Sequence, residues 1–154
     1  PIIGYNYGAE KYDRVKAAFY YGVKIATVVT TIGFIFGVFF PRIFARAFTS
    51  DVQLLDLAEN AMRISIVAFP FVGFQVVMSG YFQSIGQAKK SIILSLSRQL
   101  IFLIPSIIIL PRMFGLDGVW AATPVSDFLA SLLALTFFIR QRKILNQMIS
   151  KNGK

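Results

Sequence analysis

Apolar residues come in four long runs along this chain, at 17–40, 64–83, 92–110 and 118–139. A hydrocarbon core of about 30 Å takes roughly 20 helical residues to cross, and each run has about that length. Barrel strands need only about 10 alternating residues each, and glycine and proline recur inside the runs, so the pattern predicts helices. The breaks are well marked. "SIGQAKKS" separates the second run from the third with Gly86 and the Lys89–Lys90 pair, and "ILPRMFGLDG" separates the third from the fourth with Pro111 and Gly115. The longer connection after the first run holds "TSDVQLLDLAENAMR". There Ser50 or Asp51 is placed to cap a short amphipathic helix that turns Leu54, Leu55 and Leu57 toward the membrane. The opening, "PIIGYNYGAEKYDR", reads as the end of one apolar segment running into a loop, as in the tail of something longer.

Composition sharpens this picture. Of 154 residues, 56% are hydrophobic and only 15% charged, which puts the chain in the membrane class. It has no Cys and no His, so disulfide scaffolds, Cys-ligated zinc and the usual general base are excluded. No enzyme is expected. The net charge of +9 sits between apolar runs and at the C-terminus, which marks topology and not a nucleic-acid surface. Lys11, Arg14, Lys16, Lys89, Lys90, Arg140, Arg142, Lys143, Lys151 and Lys154 fall on one side. Arg42, Arg46, Arg63 and Arg112 fall on the other, together with Asp51, Asp56, Glu59 and Asp117. The positive-inside rule then places residues 1–16 and 140–154 in the cytoplasm. Tyrosines 5, 7, 12, 20 and 21 gather at the inner end and Trp120 near the outer end, as interfacial aromatics do.

Polar residues inside the runs mark helix seams or a cavity. They are Lys24, Thr27 and Thr31 in the first run; Gln75, Ser79 and Gln83 in the second; Ser91, Ser95, Arg98, Gln99 and Ser106 in the third; and Thr123, Asp127 and Ser131 in the fourth. Gly33 and Gly37 form a GxxxG. Pro70, Pro105 and Pro124 each remove a backbone donor, giving a static kink or a hinge. Asp127 and Arg98 are the costly residues, since a charge at the middle of a span costs about 2.5–3.5 kcal/mol on insertion scales. Asp127 lies about 15 Å from the outer end and Arg98 about 9 Å from the inner end at 1.5 Å per residue. Arg98 reads either as a structural residue satisfying backbone carbonyls or as part of a path. Asp127 reads either as a carboxyl kept in a seam, protonated or bonded to Thr123 or a neighbouring Ser, or as a carboxylate taking a proton, a cation or a cationic substrate. Candidates for a substrate or cation path are thus Asp127, Thr123, Gln75, Ser79, Gln99 and Arg98, with Phe69, Phe71, Phe74, Met78 and Phe102 as aromatic or soft lining.

"PIIGYNYGAEKYDRVK", "SGYFQSIGQAKKS" and "SRQLIFLIPSIIILPRMFGLDGVWAATPVSD", with the basic tail, resemble the C-terminal third of a MATE-family (multidrug and toxic compound extrusion) exporter. The likeness is nearest the bacterial NorM/MepA-like branch and covers essentially the whole chain. The resemblance implies an all-α membrane protein whose four transmembrane helices are the last four of a twelve-helix, two-bundle transporter. It implies a multi-pass protein of the bacterial inner membrane, completed by an N-terminal bundle and two more helices of its own bundle and surrounded by lipid. It further implies antiport of hydrophobic organic cations against Na⁺ or H⁺, with no other cofactor and no nucleic-acid partner. In the family the best-attested cation site lies in the N-terminal bundle, and some members add a carboxylate in the tenth helix. The equivalent here, "RISIVAFPFVGFQVVMSGYFQ", has none, which leaves Asp127 as the one intramembrane carboxylate, in a polar or charge-balancing contact. Alternatives are a lipid-linked saccharide flippase of the same superfamily, which wants a more cationic cavity, and a self-sufficient four-helix membrane protein acting as an oligomer.

Overall fold

A computed structural model of the chain describes residues 1–152; Lys154, counted above with the basic tail, lies outside the described residues. Every regular element among them is helical: α1 (Ile2–Gly8), α2 (Tyr12–Phe39), α3 (Pro41–Arg46), α4 (Val52–Ser65), α5 (Phe69–Ser84), α6 (Ala88–Leu96), a π-helical segment (Ser97–Leu103) and α7 (Ile104–Asn152). By length and apolarity α2 can cross a membrane, as can the bent pair α4–α5 and the continuous stretch Ala88–Lys151. That last stretch is 64 residues, about 96 Å at 1.5 Å per residue, far more than one crossing. It turns back at Gly115, whose φ of 59° and ψ of −133° leave the helical region. Gly118 then lies so close to the Leu110 carbonyl that a Cβ has no room. Two antiparallel arms result, and the arm after Gly115 packs back along the π segment.

The 64–83 run, expected as one helix, is divided. The ladder breaks at Ile66–Ala68 and the two parts bend by 52°. Pro70 explains the break: it sits in the first turn of α5, where its missing N–H costs nothing, and it could not continue α4. The GxxxG of α2 is the seat of this bend. Gly33 faces the Phe69 ring, where an added Cβ would stand 2.8 Å from it, and Gly37 abuts the Ile66 side chain. One turn further along α5, a Cβ on Gly73 would come within 2.9 Å of the Ala26 carbonyl. Thr30 seals the contact by donating to the Ala26 carbonyl at 2.9 Å and the Pro70 carbonyl at 3.4 Å. The α2 positions singled out for polarity, Lys24 and Thr27, are exposed instead, and Thr30 does the work.

Asp51 is the cap of α4, accepting from Gln53 N at 2.8 Å and Leu54 N at 3.3 Å. Leu55 is buried, while Leu54 and Leu57 stay exposed on the other side. The opening of the chain forms a short helix, α1, that runs into a turn at 9–11, with Asn6 Nδ2 donating to the Ile2 carbonyl at 2.8 Å. Gly4 allows α1 to press on the end of α5, since a Cβ there would stand 2.7 Å from the Ser84 carbonyl.

The densest core lies where α2 begins and α5 ends. Val15, Phe19, Met78, Tyr81, Phe82, Leu94, Ala134 and Leu145 are buried together. Phe19 packs edge-on to Tyr81 at 5.2 Å and stacks on Phe138 at 5.6 Å, geometries that suit the ring quadrupole. Gln141 Nε2 donates to the Tyr81 hydroxyl at 3.3 Å, giving this polar tip a partner inside the cluster.

Because the α2–α5 seam has no room at Gly73, Gly73→Val should lower the stability of the purified protein in detergent by about 1–3 kcal/mol, the usual range for overpacking. Gly80→Ala, where nothing lies within 4 Å of the new methyl, should leave the thermal midpoint unchanged or slightly raised.

Candidate functional site

Arg98 reaches the membrane interior from the π segment, and Asp127 reaches it from the second arm of α7. Nε of Arg98 donates to Oδ1 of Asp127 at 2.5 Å. Asp127 is 3% exposed, whereas the Arg98 side chain keeps 36% of its surface. The carboxylate is thus enclosed and the guanidinium stands at an edge. Of the contacts anticipated for Asp127, the hydroxyl of Thr123 does not reach its carboxylate; the Thr123 carbonyl accepts from Ser126 Oγ at 2.8 Å instead. Ser131 Oγ donates to the Asp127 backbone carbonyl at 2.7 Å and to the Phe71 carbonyl at 3.3 Å, tying α7 to α5.

On the other side of Arg98 lies a polar groove of about 420 Å³ between α5 and the α6–π helix, lined by Gln75, Ser79, Gln83, Ser95, Arg98 and Gln99. Ser79 Oγ meets Ser91 Oγ at 3.0 Å and Ser95 Oγ at 2.9 Å, so three hydroxyls bond one another between α5 and α6 beside the groove. Gln75 is 4% exposed, and its Oε1 has no partner among the described residues. No group of three carboxylates capable of caging a cation occurs among the described residues.

The three prolines differ in what they do. Pro70 marks the α4–α5 bend. Pro105 comes two residues after the last residue of the π segment, where the wider turn relieves the clash between its ring and the carbonyl four residues back. Pro124 sits in helix with regular dihedrals. The carbonyl it would leave unpaired, that of Trp120, accepts from Ser65 Oγ of α4 at 3.4 Å. Among the aromatic candidates, Met78 is sealed in the core and Phe74 packs on Phe138 at 5.8 Å. Phe71 stays half exposed and meets Phe128 edge-on at 5.9 Å beside a second, apolar groove of about 360 Å³.

The pairing of Arg98 with Asp127 was not foreseen from the sequence, though both charges were. The available signal was depth: two opposite charges near the middle of neighbouring antiparallel spans each need a partner in lipid. The Ser65–Trp120 contact and the Gly73 seam left no comparable trace.

The MatE family model matches residues 1–109. The chain belongs to the MatE family. Among curated MatE-like relatives, the multidrug export protein MepA of Staphylococcus aureus is 27% identical, over 92% of this chain and 32% of its own length. A protein called FAD transporter from Shewanella oneidensis is 22% identical over 92% and 31%. This MatE chain therefore spans about a third of the length of the curated relatives it matches. Among solved structures, the inward-facing conformation of a multidrug resistance MATE transporter of the MOP superfamily superposes with a TM-score of 0.85. It is 24% identical, and the match covers 95% of this chain and 34% of that one.

For the ion pair we expect Arg98→Ala to destabilise the protein by about 1–3 kcal/mol. That is below the 3–5 typical of a fully buried pair, because Arg98 is partly exposed. Arg98→Leu combined with Asp127→Leu should recover most of the loss. A double-mutant cycle on thermal unfolding in detergent reads the coupling, and additive single losses would show that the two charges do not sense each other.

Proposed function

We propose that this chain is the C-terminal part of a secondary active multidrug exporter of a bacterial inner membrane, with both of its ends in the cytoplasm. In this reading it works with an N-terminal bundle and two further helices of its own bundle, and moves amphipathic organic cations outward in exchange for Na⁺ or H⁺. The observation that carries the reading is the match of nearly the whole chain to one third of two-state transporters. The inward-facing and outward-facing structures fit it equally, each with a TM-score of 0.85. A segment that fits both states equally suits a bundle that rocks as one body while the contacts around it change. The Gly73 seam, the Ser131 bridge and the aromatic core supply the required rigidity.

Two features suit the cargo. The groove beside Phe71, Phe74 and Phe128 offers aromatic faces that attract a desolvated cation. The single intramembrane carboxylate here is held by Arg98, so in this reading the coupling ion is bound mainly by residues of the N-terminal bundle, and the ion pair keeps the C-terminal bundle in register.

Ethidium retention in cells stripped of their own exporters tests this. The full-length protein carrying this sequence should lower retention, and the 154-residue chain alone should not. Collapse of the proton gradient, or removal of Na⁺, should abolish the effect and identify the ion. Asp127→Asn should cut export several-fold by leaving Arg98 unpaired. If the full-length protein fails to export ethidium under either gradient, the cation-exporter reading falls. Export by the chain alone would replace it with a four-helix oligomer.

A further inference from the structure

Two helices carry the same pair of side chains at the end of the molecule where α2 begins. On α2, Lys16 is followed one turn deeper by Tyr20. On the second arm of α7, which runs the opposite way, Phe138 is followed one turn later by Arg142. One turn of four residues is about 6 Å at 1.5 Å per residue, so each cation stands that far beyond its ring along the helix. Both pairs meet at one cleft between α2 and α7. Tyr20 packs edge-on to Phe138 at 6.2 Å, and Lys16 Nζ donates at 3.1 Å to Oδ1 of Asn146, one turn past Arg142. No carboxylate among the described residues lines this cleft.

The order continues inward. Phe138 packs on Phe74 at 5.8 Å, and Phe74 belongs to the apolar groove of about 360 Å³ that Thr27, Leu132 and Leu135 also line. From Lys16 to Thr27 α2 rises about 16 Å, which is one leaflet of a hydrocarbon core about 30 Å thick. Taken from the helix ends toward the middle of the span, the α2–α7 face presents two cations and an amide, then two rings, then an apolar trough. A phospholipid has its parts in that order: phosphate, glycerol, acyl chain. Between the cations the recess holds only about 20 Å³, room for one water-sized group and too little to enclose a soluble phosphate ester. A ligand there lies across the mouth and needs a second hold. The trough gives that hold to an acyl chain and denies it to a free phosphate.

We propose that the α2–α7 cleft binds an anionic phospholipid, its phosphate across Lys16, Arg142 and Asn146 and an acyl chain over Tyr20 and Phe138 into the trough. This goes beyond the exporter reading and takes from it only that this end of the helices faces the inner leaflet. The trough is the groove offered there to aromatic cargo, so a seated tail and a cargo molecule exclude each other.

The test uses the full-length protein in detergent, titrated with phosphatidylglycerol or phosphatidylcholine of identical acyl chains, with bound lipid counted by native mass spectrometry. The unaltered protein should prefer phosphatidylglycerol. Lys16→Gln and Arg142→Gln should each weaken that lipid by about fivefold and leave phosphatidylcholine nearly unchanged; fivefold corresponds to about 1 kcal/mol per cation at 1.4 kcal/mol per decade. Arg142→Lys, which keeps the charge, should retain most of the affinity. Tyr20→Ser should weaken both lipids alike by removing the ring under the headgroup. Lys89→Gln with Lys90→Gln, neutralising two cations outside the cleft, should change neither lipid. An equal loss in that control would show a diffuse positive surface and overturn the site. Displacement of phosphatidylglycerol by an equal concentration of glycerol phosphate would assign the cleft to a free phosphate and overturn the lipid proposal. Unchanged phosphatidylglycerol affinity in Lys16→Gln and Arg142→Gln, as when protein outside this segment covers the cleft, would overturn it too. Failure of ethidium export in cells while the phosphatidylglycerol preference persists would overturn the cation-exporter reading and leave the lipid site standing.

Discussion

A carboxylate in the middle of a hydrocarbon layer has to be answered by the protein, because lipid offers it nothing. Asp127 is answered by Arg98, and much of the architecture can be understood from that one contact. To bring a side chain from the third run to one on the fourth, the chain must fold back tightly, which it does at Gly115 with Gly118 pressed on the Leu110 carbonyl. To turn Arg98 toward both the fourth run and α5, the third run widens into a π turn just where Arg98 and Gln99 sit. Extra residues in a turn rotate everything downstream, and such bulges tend to persist where a side chain must be aimed. Pro105, which would clash in a regular helix, comes just after the wider turn, with Ile104 between.

The same demand explains how the prolines are distributed. Each one orphans a carbonyl, and in lipid that carbonyl must find a donor within the protein. Ser65 supplies it for Trp120, across from Pro124. Where Pro70 breaks the ladder outright, the broken turn bonds locally, Phe69 N donating to the Ile66 carbonyl at 2.9 Å. Thr30 and Ser131 then cover the neighbouring carbonyls of Pro70 and Phe71. The hydroxyls on the seams are therefore backbone partners first. That holds for Thr30, Ser65 and Ser131, whereas Gln75, Ser79, Gln83, Ser95 and Gln99 of the polar stripes line the groove beside Arg98.

Helicity, the all-α membrane class and the breaker at Gly115 could be read from run length and Gly–Pro placement, because those properties belong to single segments. The Asp51 cap was legible for the same reason: its bonds go to residues two and three positions on. What the sequence did not carry was any property shared between segments. Gly73 looks like any helical glycine until α2 lies 2.9 Å from its missing Cβ, and Thr30 gains its role over Thr27 and Thr31 only from that contact. The 64–83 run read as one helix because the hydropathy is continuous across Ile66–Ala68, whereas the break depends on Pro70 being in a first turn. At the opening the sequence showed an apolar segment ending in a loop but not its helicity, because seven residues that are weakly helical alone are held by packing on α2 and on Ser84.

The unequal satisfaction of polar groups carries the argument one step further. On the α2–α5, α4–α7 and α5–α7 seams the hydroxyls of Thr30, Ser65 and Ser131 each have a partner inside the chain. At the groove the terminal nitrogens of Arg98 and the Oε1 of Gln75 have none among the described residues, and both would be costly against lipid. A membrane protein cannot leave such a surface facing hydrocarbon, so the groove must face water, cargo or further protein. Helix packing alone would have been served by leucine at position 75. An amide there, its oxygen buried without a partner among the described residues and beside a guanidinium held by only one of its nitrogens, is a feature that packing among those residues does not explain.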